Sequence, residues 1–132
     1  MKLTIVPIYA ALLALLFIAL SVRTLRLRRR LQIAVGDAGN ATMLRAMRVH
    51  SNFAEYVPLT LLLIAFVELG GAAAWRVHLF CMCLLVGRCV HAYGVSQLKE
   101  NYRFRVAGMV FTLYCLAAAA VYLLLRALFT AL

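Results

Sequence analysis

Three polar residues stand at the start of a long apolar stretch and share one narrow face of a predicted helix. The stretch runs from Arg48 to Glu68, and Arg48, Asn52 and Glu55 within it are spaced by four and three residues. This spacing places the three side chains on the same side of a helix. A guanidinium, an amide and a carboxylate are costly to place beside lipid unless they contact each other or a ligand. We therefore take this face as the candidate functional site.

Further basic residues are predicted at the same end of the molecule, contributed by the loop after the first apolar stretch, by the third stretch and by the segment that opens the fourth helix. These residues are Arg26, Arg28, Arg88, His91, Arg103 and Arg105. Several cations around one carboxylate suit a small ligand that has carboxylates and at least one ammonium group. In such a site the arginines would bind the carboxylates, and Glu55 would bind the ammonium.

The elements that position these residues are four apolar stretches, each long enough to cross a hydrocarbon core of about 30 Å. We predict membrane spans at about residues 3–22, 41–69, 77–97 and 106–128. The chain has 132 residues, of which 67% are hydrophobic, as expected for a single transmembrane domain of the all-α class. Short connections between antiparallel helices predict an up-down four-helix bundle, with Asn40 as the N-cap of the second helix.

The first apolar stretch has a signal peptide as its competing interpretation, because Lys2 precedes it. The stretch is longer than the apolar region of a signal peptide, and a cluster of arginines between Arg23 and Arg30 follows it. These features predict a helix that is retained in the membrane.

Two titratable residues near the opposite end of the bundle, Glu68 and His78, are interpreted as interfacial residues.

The formal net charge of +10 is concentrated in two loops, residues 23–39 and 99–105. A nucleic-acid-binding domain would bury its apolar residues in a globule, whereas here they form long unbroken runs, so we exclude nucleic acid as a partner. The positive-inside rule instead predicts that both basic loops and the candidate site are cytoplasmic, with both termini outside.

All the cysteines (Cys81, Cys83, Cys89 and Cys115) lie in apolar runs, which predicts neither disulfides nor a metal site.

The segment from Arg48 to Pro58 resembles the helix-two signature of the MAPEG family, the membrane-associated proteins in eicosanoid and glutathione metabolism. The family pattern is Arg, three residues, Asn, two residues, Glu-Tyr, one residue and Pro, and the chain keeps every element. The Gly36-Asp37-Ala38-Gly39 turn and the start of the fourth helix are similar to the small bacterial inner-membrane branch. The resemblance covers essentially the whole chain.

The resemblance implies a homotrimer that binds glutathione between neighbouring subunits near the cytoplasmic face. It implies a microsomal glutathione transferase-like enzyme that takes glutathione as co-substrate, without a metal. The second substrate would be a lipophilic electrophile or a lipid hydroperoxide that enters from the membrane lipids. Arg105 resembles the arginine that holds the glutathione sulfur as a thiolate. The implied glutathione-binding residues are Arg26, Arg28, Arg48, His50, Asn52, Glu55, Tyr56, Arg88 and His91.

The chain departs from the family pattern on the third helix and before the fourth. Leukotriene-type members have two tyrosines four residues apart on helix three, where this chain has His91 and Val95. The loop before Arg105 is longer by about a residue, so Arg103 is an alternative for the thiolate-holding role. His50 lies on the opposite side of helix two from Asn52, so it would serve only a neighbouring subunit.

Alternative functions stay open at this point. The main one is a non-enzymatic, trimeric lipid-binding or scaffolding membrane protein. A four-helix exporter of cationic drugs would need an acidic residue in the first span, and residues 3–22 contain none. Two structural interpretations also apply: Arg48 as a topology signal, and Glu55 with Arg88 as an ion pair inside the membrane.

Overall fold

The computed structural model describes residues 2–98 and 101–131. Four helices contain most of these residues: α1 (Val6–Leu31), α2 (Ala41–Leu69), α3 (Ala74–Ser96) and α4 (Tyr102–Ala131). Each helix is long and apolar enough to cross a membrane, and the described ranges contain no strand. The fold is therefore all-α, as predicted. Lys99, which begins the second basic loop in the sequence, lies outside the described residues.

Contacts between helices show that successive helices run in opposite directions. The start of α1 lies against the end of α2, where the Val6 N–H donates to Glu68. Farther along, Ser21 of α1 lies against His50 near the start of α2. α3 and α4 pack together most extensively, and α1 packs against α2 and α3. We call the end of the bundle that holds the α1–α2 loop the basic end, and the opposite end the Glu68 end.

The α1–α2 loop is a tight connection that sets the start of α2. Gly36 and Gly39 adopt positive φ angles of 69° and 72°, a region that favours glycine. The Asn40 side chain then accepts a hydrogen bond from the Met43 N–H at 3.0 Å, which confirms the predicted N-cap. The Arg28 guanidinium donates to three carbonyl oxygens between residues 33 and 36 and so holds the loop against the end of α1.

Three glycines bring α3 and α4 into backbone contact. A Cβ atom added at Gly108 would lie 2.5 Å from the backbone nitrogen of His91 and 2.7 Å from the backbone oxygen of Gly87. At Gly94 an added Cβ would lie 2.8 Å from the Arg105 nitrogen. Real Cβ atoms do not approach backbone atoms this closely, so only glycine fits at these positions. The crossing fixes the backbone of His91 next to the first turns of α4, which carry Arg105.

The Glu68 side chain, which the sequence analysis interprets as interfacial, packs against the start of α1 and is only 8% exposed. One carboxylate oxygen accepts from the N–H groups of Thr4 and Ile5, both at 2.7 Å, and the other accepts from the Val6 N–H at 2.8 Å. The first N–H groups of a helix have no partner within the helix, and its N-terminus favours negative charge. Glu68 therefore caps α1 from another helix. His78, although exposed, makes a 3.0 Å hydrogen bond through Nδ1 with the Tyr9 hydroxyl.

The core lies where all four helices meet, with Cys115 and Ala119 as the contribution of α4, and large apolar side chains also cover the outside of every helix. Outward-facing apolar side chains are expected where lipid replaces water as the solvent. Cys81 and Cys115 are fully buried, as expected for small apolar residues, whereas Cys89 is exposed. The described residues contain no cluster of side chains that suits a metal ion.

Candidate functional site

A cavity of about 520 Å³ opens at the basic end, between α2, α3 and the start of α4. It brings together five of the residues that the sequence predicted for the site: Arg48, Asn52, Glu55, His91 and Arg105. The remaining lining residues are Ala41, Leu44, Arg45, Ser51 and Val95. Helices that are distant in sequence thus converge on the face of α2 that the spacing had identified.

α2 supplies one continuous row of polar side chains to this cavity. Arg48 and Glu55 are exposed to the cavity opening, and Asn52 between them is partly buried. Arg45 extends the row by one turn toward the loop, and its guanidinium donates to the Val95 carbonyl at 3.3 Å. Arg45 is not among the site residues predicted from the sequence. The signal was present, because Arg45 lies three residues before Arg48 and shares its face.

Arg88 lies behind the cavity wall rather than in it. Its side chain is 0% exposed and is absent from the cavity lining. One terminal nitrogen, Nη2, donates to Asn52 Oδ1 at 2.8 Å and lies 3.2 Å from His91 Nδ1. The other, Nη1, lies 3.5 Å from the Thr112 hydroxyl, and Nε has no hydrogen-bond partner. Arg88 therefore contacts two residues that line the cavity without reaching the cavity itself.

Glu55 and Tyr56 have different positions, although they are neighbours in sequence. The Glu55 carboxylate lines the cavity and is exposed, whereas Tyr56 is partly buried and is not part of the lining. Within the part of the chain that the structure describes, no ion pair joins Glu55 to Arg88. The structural ion pair that was considered from sequence is thus absent, and the carboxylate faces the cavity.

The first turns of α4 place Arg105, and not Arg103, in the cavity wall. Arg103 is exposed to the outside of the bundle, and its N–H group bonds to the Asn101 side chain at 3.1 Å. Arg105 stands where α4 meets α3 at Gly94. Of the two arginines that the sequence left as alternatives, the geometry puts Arg105 beside the other site residues.

His50 lies on the other side of α2 and faces α1, and Arg28 lies near the end of α1 itself. The His50 ring stacks on Phe17 with 4.7 Å between centroids, and Nε2 lies 3.1 Å from the Ser21 hydroxyl. Both His50 and Arg28 line a separate cavity of about 360 Å³, which shares only Ser51 with the first. Arg28 also holds the loop carbonyls.

Arg26 is exposed and lines a groove on α1 with the neighbouring Arg23. Within one chain, therefore, the structure does not bring Arg26, Arg28 or His50 together with Asn52.

The lining gives the cavity a positive character. Among the described residues, the lining contains the guanidinium groups of Arg45, Arg48 and Arg105 and the carboxylate of Glu55. Guanidinium groups form charge-assisted, often bidentate hydrogen bonds with carboxylates and phosphates. Fold and cavity together define an α-helical protein of four potential membrane spans with a cavity lined by several guanidinium groups at one end.

Residues 6–129 match the MAPEG family, so the chain belongs to that family. The family includes glutathione-dependent transferases and peroxidases. The chain is 39% identical over 102 residues to inner membrane protein YecN of Escherichia coli (strain K12), a match that covers 77% of this chain and 76% of YecN. The protein of the same name from Escherichia coli O6:H1 gives the same figures. No solved structure matches the chain.

Proposed function

We propose that this protein is an inner-membrane glutathione transferase or peroxidase that activates glutathione as a thiolate. The observation that carries the proposal is the convergence of Arg105 with Arg48, Asn52 and Glu55 on one cavity in a chain of the MAPEG family. The thiolate would attack lipophilic electrophiles or lipid hydroperoxides that reach the cavity from the bilayer.

The charges of the cavity match those of glutathione. The tripeptide has two carboxylates, one ammonium group and one thiol. Arg45 and Arg48 on α2 would bind the carboxylates, and Glu55, about two to three turns farther along the same face, would bind the ammonium group. Arg105 enters from α4 and is left for the sulfur. A peptide with two carboxylates and one ammonium group requires several cations and at least one carboxylate in its binding site, and the cavity provides both kinds of group.

Arg105 would supply the chemistry by stabilising the thiolate. A free thiol has a pKa of about 8.5 and is mostly protonated at neutral pH. A guanidinium next to the sulfur favours the anion and so lowers the pKa of the bound thiol. In conjugation the thiolate forms a bond to the electrophilic carbon, and the leaving group departs with its electron pair. Holding both substrates in one cavity adds the advantage of proximity.

We further propose a homotrimer in the inner membrane with the basic end in the cytoplasm and both termini outside. The name of the Escherichia coli relative supports the location, and the two basic loops support the orientation. The exposed positions of Arg48, Glu55 and Arg105 leave the cavity open on one side. A neighbouring subunit would close it, and it would contribute His50 of its α2 and Arg26 and Arg28 of its α1.

The test is a glutathione titration of the purified protein, followed by the ultraviolet absorbance of the thiolate. Arg105→Ala is the variant, and Arg103→Ala is the matched control, since it removes an arginine two residues away that lies outside the cavity. We expect a saturable signal in the wild type and the control and none in Arg105→Ala. Equal losses in both variants, or an unchanged signal in Arg105→Ala, would contradict the assigned role. A folded wild type without any signal would favour a lipid-binding or scaffolding role.

A further inference from the structure

Two residues of the cavity wall each turn one atom toward the same buried guanidinium. Arg88 Nη2 lies 2.8 Å from Asn52 Oδ1 and 3.2 Å from His91 Nδ1. Asn52 and His91 both line the cavity, whereas Arg88 is 0% exposed. The three side chains therefore form a unit in which the charged member, Arg88, is buried and the other two line the cavity.

The chemistry of arginine fixes the hydrogen-bonding role of both partners. A guanidinium has N–H donors only and stays protonated in proteins, so an atom that bonds to it must accept. For Asn52 the facing atom must be Oδ1, which leaves the amide NH₂ for other partners. For His91 the facing Nδ1 must lack a hydrogen, so the ring is neutral and carries its hydrogen on Nε2. This assignment follows from Arg88 itself and does not depend on where hydrogen atoms are placed.

We propose that Arg88 is a positioning residue that makes Asn52 and His91 hydrogen-bond donors toward the ligand, instead of binding the ligand directly. The identity of the ligand as glutathione rests on the proposed function, but the orientation of the two side chains does not. With the two side chains oriented in this way, Asn52 and His91 each add one hydrogen-bond donor to those of the cavity arginines. Among the described lining residues, Glu55 is then the one carboxylate acceptor. The site selects a ligand rich in acceptor oxygen atoms.

The surroundings of Arg88 fit a positioning role better than a role in stability. No carboxylate contacts Arg88 among the described residues, and its Nε is unpartnered. The Phe53 ring, 5.6 Å from the guanidinium carbon, and the Thr112 hydroxyl supply only weak compensation. A buried charge without an opposite charge is costly, so packing alone gives no reason for an arginine here. Control of two ligand-facing groups does give one.

The first experiment needs no ligand. Nitrogen NMR of histidine-labelled protein in detergent distinguishes the two neutral tautomers and the charged ring, and the His91 signals are assigned by their loss in His91→Gln. We expect the Nε2–H tautomer in the wild type and in Arg48→Met, which removes a cavity cation but leaves the Arg88 contact intact. In Arg88→Met we expect a mixture of tautomers. A wild-type His91 that is charged or carries its hydrogen on Nδ1 would overturn the proposal, as would an unchanged tautomer in folded Arg88→Met.

If Arg88→Met does not fold, the wild-type spectrum still decides the tautomer, and Arg88→Lys provides a second variant that retains a donor. Lysine has a different reach from the planar guanidinium, so we expect it to hold at most one of the two partners. Retention of the wild-type tautomer together with wild-type binding in Arg88→Lys would show that any buried cation suffices.

The second experiment tests Asn52 in glutathione binding by calorimetry, with one nearly isosteric variant and one truncated variant. Asn52→Asp keeps an acceptor for Arg88 but replaces the ligand-facing NH₂ by an oxygen, whereas Asn52→Ala removes both groups. We expect Asn52→Asp to bind about tenfold or more weakly than the wild type, and at least as weakly as Asn52→Ala. Wild-type affinity in Asn52→Asp would mean that Asn52 serves Arg88 alone. If the wild type does not bind glutathione while the tautomer is as expected, the proposed function fails and the positioning role stands.

Discussion

Replacing Gly108 by alanine is the sharpest test of how α3 and α4 hold the site together. The new Cβ would lie 2.5 Å from the backbone nitrogen of His91, 2.6 Å from the His91 Cβ and 2.7 Å from the backbone oxygen of Gly87. Two of these atoms are backbone, so the overlap is relieved only by moving the helices apart. Overpacking of this kind costs about 3 kcal/mol at the upper end of its usual range. Alanine recovers about 1 kcal/mol through its higher helix propensity. The net destabilisation expected is therefore about 2 kcal/mol.

The assay is thermal or denaturant unfolding in detergent, paired with glutathione binding. Gly87→Ala is the graded comparison, because its added Cβ would meet the Phe111 Cβ at 2.9 Å and the Gly108 oxygen at 3.1 Å. We expect Gly108→Ala to lose more stability than Gly87→Ala and to weaken binding, since Arg105 lies one turn from Gly108 on α4. A Gly108→Ala protein as stable as the wild type would refute the close crossing. Lost stability with wild-type binding would refute the link between the crossing and the site.

Two further predictions concern features outside the cavity. Glu68→Ala removes the acceptor for three N–H groups at the start of α1 and should lower the free energy of unfolding by about 1–3 kcal/mol. Hydrogen exchange should accelerate at residues 4–6. The acceleration should be smaller in Glu68→Gln, which keeps one acceptor oxygen. Unchanged exchange in Glu68→Ala would contradict the cap. In the folded protein a maleimide should modify the exposed Cys89, and it should modify the buried Cys81 and Cys115 only after denaturation. Mass spectrometry follows the modification. Modification of all three cysteines at one rate would contradict the burial of Cys81 and Cys115.

The parts of the fold that depend on local pattern were predictable from the sequence. The hydropathy runs gave the helices, Asn40 gave an N-cap, and the spacing of Arg48, Asn52 and Glu55 gave the row on α2. These features depend on residues within a few turns of each other, so periodicity contains the information. The assignment to the MAPEG family followed from the same row and is confirmed.

The features that the sequence did not reveal depend on contacts between distant residues. Glu68 caps a helix start 62–64 residues away, and nothing in the sequence near Glu68 marks that partner. Arg88 shares a helix face with His91 and looks like a cavity residue, but its depth depends on the approach of α4 at Gly108. Arg28 belongs to a basic cluster, and only the path of the loop shows that it bonds to loop carbonyls.

The Glu68 cap has a geometric consequence for the whole bundle. α1 is tied at one end by Glu68 to Val6 and near the other by the hydrogen bond from Arg23 to the Ser96 hydroxyl of α3. These attachment points are separated by roughly 26 Å of helix at 1.5 Å per residue. α1 is therefore a spacer of fixed length between the two ends. Inserting or deleting one residue between them would rotate one attachment by about 100° and break it, so the number of residues in α1 is constrained even where its side chains face lipid.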